Sequence, residues 1–79
     1  MSPTIFKEAG YRFFFFSREE ERMHVHIISA NGETKFWLEP DISLAKNYNH
    51  TNKQLKKIES LVKEHSDDLI SAWQQHFSR

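Results

Sequence analysis

Three side chains near the middle of the chain carry the chemistry of a metal or acid–base site: His24, His26 and Glu39. The two histidines lie two residues apart in the run Met23-His24-Val25-His26-Ile27-Ile28. On a strand, that spacing sends both imidazoles to one face, roughly 7 Å apart at the backbone. Two imidazoles so placed reach one ion, and a carboxylate as third ligand suits a divalent metal such as zinc or manganese. The same trio can instead move protons, because an imidazole beside a carboxylate holds a proton near neutral pH. Arg12 or Lys35 would then receive a phosphate, as in a ribonuclease-type hydrolase. The plainer reading is a half-exposed sheet face, with Trp37 packed on His26, since such cross-strand pairs stabilise sheets without doing chemistry. Thiolate metal sites and disulfides are excluded, because the chain has no cysteine. No nucleophile motif or phosphate loop accompanies the histidines.

The elements that must position these residues follow from turns and periodicity. Asn31-Gly32 separates a strand over Met23–Ser29 from one over Thr34–Glu39, the strongest short-range hairpin signal. A two-residue turn there pairs Ala30 with Glu33, Ile28 with Lys35, Ile27 with Phe36, His26 with Trp37, Val25 with Leu38 and His24 with Glu39. Alternation then puts Val25, Ile27, Phe36 and Leu38 on an apolar side, and His24, His26, Lys35, Trp37 and Glu39 on the other. Pro3–Phe6 reads as a first strand, and Gly10 supplies a positive φ in a tight connection. The second strand spans Tyr11–Ser17, where Phe13, Phe14, Phe15 and Phe16 make both faces apolar. One of those faces needs cover from the chain itself or from a partner. Pro40 ends the pairing of the fourth strand, and Ile42 and Leu44 alternate as a short fifth edge strand over Asp41–Ala45.

The last third is helical. Thr51 and Gln54 form a capping-box pattern, and Leu55, Ile58, Leu61 and Val62 share one face. Ser66 caps a second helix that carries Asp67 and Asp68 in its first turn and Leu69, Ile70, Trp73 and Phe77 on its apolar side. A single long helix bent near His65 is the alternative. The expected fold is α+β: a four-stranded antiparallel meander, with a possible short fifth edge strand, packed against one or two C-terminal helices. Val25, Ile27, Phe36 and Leu38 would face Leu55, Ile58, Val62, Leu69, Ile70 and Trp73.

The 79 residues suffice for one domain over 1–79, with the sheet in 1–45 and the helical part in 51–78. Eleven basic residues balance eleven acidic ones (11 against 11), which gives no global pull toward nucleic acid or anionic membrane. A lysine face of Lys53, Lys56, Lys57 and Lys63 offers nucleic acid only a local contact, and is more often simply solvated. No apolar run approaches ~18 residues and no leader pattern is read, so the expectation is a cytoplasmic protein with no membrane span.

At His24-Val25-His26 and Lys35-Phe36-Trp37-Leu38-Glu39-Pro40 the chain resembles the bacterial domain of unknown function 4160 family. The likeness begins at Pro3-Thr4-Ile5-Phe6 and Tyr11-Arg12-Phe13-Phe14, and ends at Gln54-Leu55-Lys56-Lys57-Ile58 and Ala72-Trp73. Members typically carry Asn-Pro-Pro before the first histidine, where this chain has Glu20-Glu21-Arg22-Met23. Many relatives have glycine near Asn49, and Asn is the next best residue for a left-handed position. The resemblance implies a gene beside a second small open reading frame, of the domain of unknown function 2442 family, in a toxin–antitoxin-like pair. The expected function is therefore a small protein-interaction subunit, binding its neighbour's product or a second copy of itself. Arg12, Phe14, Phe16, Lys35 and Trp37 are the expected contact residues, because aromatics ringed by polar groups resemble interface cores. The alternative is a metal-assisted hydrolase or ribonuclease-type toxin using His24, His26 and Glu39.

Overall fold

The computed structural model describes residues 4–15 and 22–77. Five strands run in order β1 (Thr4–Glu8), β2 (Tyr11–Phe14), β3 (His24–Ile28), β4 (Glu33–Trp37) and β5 (Ser43–Tyr48). Each pairs antiparallel with the next, so the sheet is a meander in sequence order. Two helices follow, α1 (Asn52–Glu64) and α2 (Ser66–Phe77). The expected fifth strand is a full sheet member of six residues. It begins two residues later than Asp41 and runs on to Tyr48.

The helices cover one face. Phe13, Phe15, Val25, Ile27, Phe36 and Leu38 from the sheet meet Ile58, Leu61, Val62, Leu69 and Trp73 in one buried cluster, with Ile70 packed against its edge. The capping signal of α1 holds, whereas Ser66, expected to cap α2, is the first residue inside it. Thr51 caps α1 in a reciprocal capping box with Gln54. A single residue, His65, separates the helices, and its φ of −104° and ψ of 16° bend the axis while Leu69 N–H still donates to its carbonyl. The structure thus has two helices, and the junction falls at His65, where the alternative placed its bend.

The first hairpin turn keeps the positive φ expected at Gly10, while the second departs from expectation. Positive φ falls at Ala9 (55°) and Gly10 (83°), between the paired Glu8 and Tyr11. That is the mirror-image turn favoured by right-handed strand twist, with alanine in a conformation that disfavours it by roughly 1–2 kcal/mol. Neither Asn31 nor Gly32 adopts positive φ. The β3–β4 turn closes one residue earlier, with Ser29 N–H donating to the Gly32 carbonyl at 3.0 Å. The register therefore shifts by two residues: His24 faces Trp37, Val25 faces Phe36, His26 faces Lys35 and Ile28 faces Glu33. An even shift preserves parity, so every side chain keeps the face that alternation assigned.

Tertiary contacts override the local turn preference. The Asn31 amide donates to Asn49 O and Gln54 Oε1, and accepts from Gln54 Nε2. A Cβ added at Gly32 would sit 2.5 Å from Tyr48 O. Glycine is needed there for close approach of the β5–α1 connection, not for an unusual φ. Asn49 holds a φ of 78°, the left-handed conformation expected of it.

Candidate interaction face

Strand register defines the face turned away from the helices. Its transverse rows read His24–Trp37–Ser43, then Phe14–His26–Lys35–Lys46, then Lys7–Arg12–Ile28–Glu33–Tyr48. No helix among the described residues belongs to this side of the sheet, except that Trp73 of α2 reaches round the strand ends to His24. Four cations from the strands (Lys7, Arg12, Lys35, Lys46) stand here against one carboxylate, Glu33. A chain with zero net charge thus carries a locally basic aromatic face.

The side chains interlock as cation and ring. The Arg12 guanidinium lies 4.9 Å from the Phe14 centroid, and Phe14 stacks on His26 at 5.5 Å. His26 meets His24 edge-on at 5.1 Å, and His24 meets Trp37 edge-on at 5.7 Å. The Trp37 ring then carries two cations, Arg22 at 4.0 Å and Lys35 at 4.4 Å. Each such contact contributes about 0.5–1 kcal/mol at an exposed site. Phe14, His24 and His26 are buried, whereas Arg12, Lys35 and Trp37 are half-buried. Four of the five expected contact residues therefore stand in one patch. Phe16 lies outside the described residues.

The expected pairings within that patch need correction. Trp37 lies against His24 rather than His26, because the turn closes one residue early. Glu39 does not face His24. Its carboxylate accepts from Met23 N–H at 3.0 Å, and its carbonyl accepts from Arg22 Nε at 2.9 Å. Glu39 thus pins the entrance of β3. The carboxylate that comes near a histidine of the pair is Glu33, 3.6 Å from His26 Nδ1 and on the diagonal across β3–β4. The carbonyl of Arg22 can only accept, so His24 Nδ1, 2.7 Å away, carries its proton. Among the described residues the three-ligand arrangement close enough for one ion is Glu8, Glu64 and His65, where the β1–β2 turn meets the helix junction. There Glu8 Oε1 and His65 Nε2 already bond at 2.8 Å.

A second polar cluster escaped the sequence reading. His50 is buried, with Nδ1 2.6 Å from Thr34 Oγ1 and Nε2 2.8 Å from Ser29 Oγ. Asn47 accepts from the Thr34 hydroxyl and from His50 N–H, and donates to the His50 carbonyl. Burial pushes the His50 imidazole below its ordinary pKa. A neutral ring fits if Nδ1–H donates to Thr34, which donates onward to Asn47 Oδ1, and Nε2 accepts from the Ser29 hydroxyl. This network ties β3, β4 and β5 to the start of α1.

The family model described as a domain of unknown function (DUF4160) matches residues 10–74, from the β1–β2 turn through most of α2. Comparisons with curated proteins and with solved structures gave no match. No helix is long and apolar enough to cross a membrane among the described residues. The family match takes in β2–β5, α1 and the first nine residues of α2, including His24, His26, Trp37 and the whole His50 network, and the chain belongs to the DUF4160 family.

Proposed function

We propose that the chain is a small protein-interaction subunit of a two-gene, toxin–antitoxin-like module, and that it meets its partner through the helix-free face of the sheet. The observation that carries this reading is charge segregation. The chain is neutral, yet Arg12, Lys35 and Arg22 converge on Phe14 and Trp37 over one side of the sheet. Tryptophan and arginine at the centre of a patch are the residues that dominate binding energy at interfaces. The partner's complementary surface is acidic with an apolar centre. A hydrolase built on His24, His26 and Glu39 has less to draw on, since the Glu39 carboxylate is engaged by the backbone at Met23.

Sedimentation of the chain alone and mixed with the product of the neighbouring gene tests the proposal. A heavier species in the mixture, weakened at least tenfold by Arg22→Glu, is expected. A chain that sediments as an unchanged monomer beside its neighbour ends this reading.

A further inference from the structure

We propose that a divalent transition-metal ion, zinc foremost, binds where the β1–β2 turn meets the helix junction, held by Glu8, Glu64 and His65. One ligand atom from each of the three lies within 4.8 Å of the others. Donors about 2.0–2.2 Å from one zinc ion sit roughly 3–4 Å apart. The Glu8 side chain is 42% exposed and Glu64 is exposed, so both close the remaining distance by side-chain rotation alone. One imidazole with two carboxylates is a donor set for zinc or manganese, whereas calcium and magnesium take oxygen donors throughout.

The imidazole separates this group from an ordinary acidic patch, because the fold holds it in place. The His65 N–H donates to Leu61 O, and its carbonyl accepts from Leu69 N–H. Its ring packs on Phe6 at 4.5 Å, and Phe6 stacks on the buried Phe13 at 4.2 Å. The ring is therefore anchored to the core, with Nε2 directed at Glu8 Oε1 2.8 Å away. Glu8 is held in turn by its pairing with Tyr11 at the end of the β1–β2 ladder. Charge also favours a cation. The Glu64 side chain makes no hydrogen bond or ion pair among the described residues. Lys63, beside it in the last turn of α1, is engaged by Glu59 at 3.2 Å. Glu64 itself ends α1, where the helix dipole favours positive charge. The ion takes the Nε2 lone pair, and the ring keeps its proton on Nδ1. Bound there, it ties the first hairpin to the helix junction and stabilises the folded chain. The three ligands belong to none of the rows of the helix-free face, so this site and the partner-binding proposal stand or fall separately.

Calorimetric titration of the full chain with zinc, manganese, calcium and magnesium chlorides tests the site, with amide chemical shifts to locate the bound zinc. Saturable zinc shifts centred on Glu8, Glu64 and His65 are expected, with at least tenfold weaker binding of calcium and magnesium. Zinc should also raise the thermal unfolding midpoint in a concentration-dependent way. His65→Gln should weaken zinc at least tenfold. Glu64→Gln, at an exposed position outside the Glu8–His65 hydrogen bond, should weaken zinc at least fivefold while circular dichroism of the metal-free chain stays unchanged. Calcium binding as tightly as zinc, zinc shifts centred on His24 and His26, an unaltered Glu64→Gln variant, or no saturable shifts at millimolar zinc overturns the proposal.

Discussion

His50 and the His24–His26 pair place the same side chain in opposite circumstances. The ring of His50 meets two hydroxyls supplied by its own chain, one at each nitrogen. It rivets three strands to a helix. The rings of His24 and His26 instead form the floor of an aromatic and cationic surface that continues through Phe14, Trp37, Arg12 and Lys35 to solvent-facing groups. The difference teaches how to sort buried histidines by what surrounds them. Full satisfaction by short-range hydroxyl partners marks architecture, while a floor beneath stacked rings and cations marks a surface.

That contrast breaks most readily at His50. His50→Ala leaves the Thr34 and Ser29 hydroxyls without their ring partner and opens a void, so about 2–4 kcal/mol of stability is lost in urea denaturation. Partner binding by the fraction that stays folded should be unaltered. Gly32→Ala strikes the same region through backbone crowding against Tyr48 O and should cost about 1–3 kcal/mol, read as a lower urea midpoint with an unchanged slope.

A milder test uses pH. The folded state holds the His50 pKa below its unfolded value. The unfolded chain therefore binds more protons in the interval between the two. Stability contributed by His50 is fully present above the unfolded value near ~6.5 and declines as pH falls through it, levelling off below the folded value. His50→Gln should remove that part of the decline, which is checked by comparing denaturation midpoints of both proteins at neutral and mildly acidic pH. The smallest stability effect belongs to the other region. Arg22→Ala removes an exposed cation from the Trp37 ring and should shift stability by under about 1 kcal/mol in the same denaturation assay.

Much of this contrast was legible in the chain, and the reasons for the rest are specific. Parity alone placed Val25, Ile27, Phe36 and Leu38 in the core and His24, His26, Lys35 and Trp37 opposite, because a two-residue slip cannot move a side chain across the sheet. Local chemistry also marked Thr51 and Gln54 as a cap and Asn49 as a left-handed residue. Register was not legible. Asn31-Gly32 has every local feature of a mirror-image turn, but its amide and its bare α-carbon are used by Asn49, Gln54 and Tyr48, which are remote in sequence. With the register went the roles of Glu33 and Glu39. The basic character of the face depended on β5, whose bulge between Leu44 and Lys46 sets Lys46 beside Lys35. The His50 network draws Ser29, Thr34, Asn47 and His50 from separate segments, and no periodicity announces such a set.

The central claim is that the helix-free face binds the partner while the His50 cluster only holds the fold. Calorimetric titration of the neighbouring gene's product into wild type, Trp37→Ala and Ser29→Ala tests it directly. The account predicts at least a tenfold loss of affinity for Trp37→Ala and none for Ser29→Ala, with both variants folded. Equal affinities for wild type and Trp37→Ala, or a loss confined to Ser29→Ala, would contradict it.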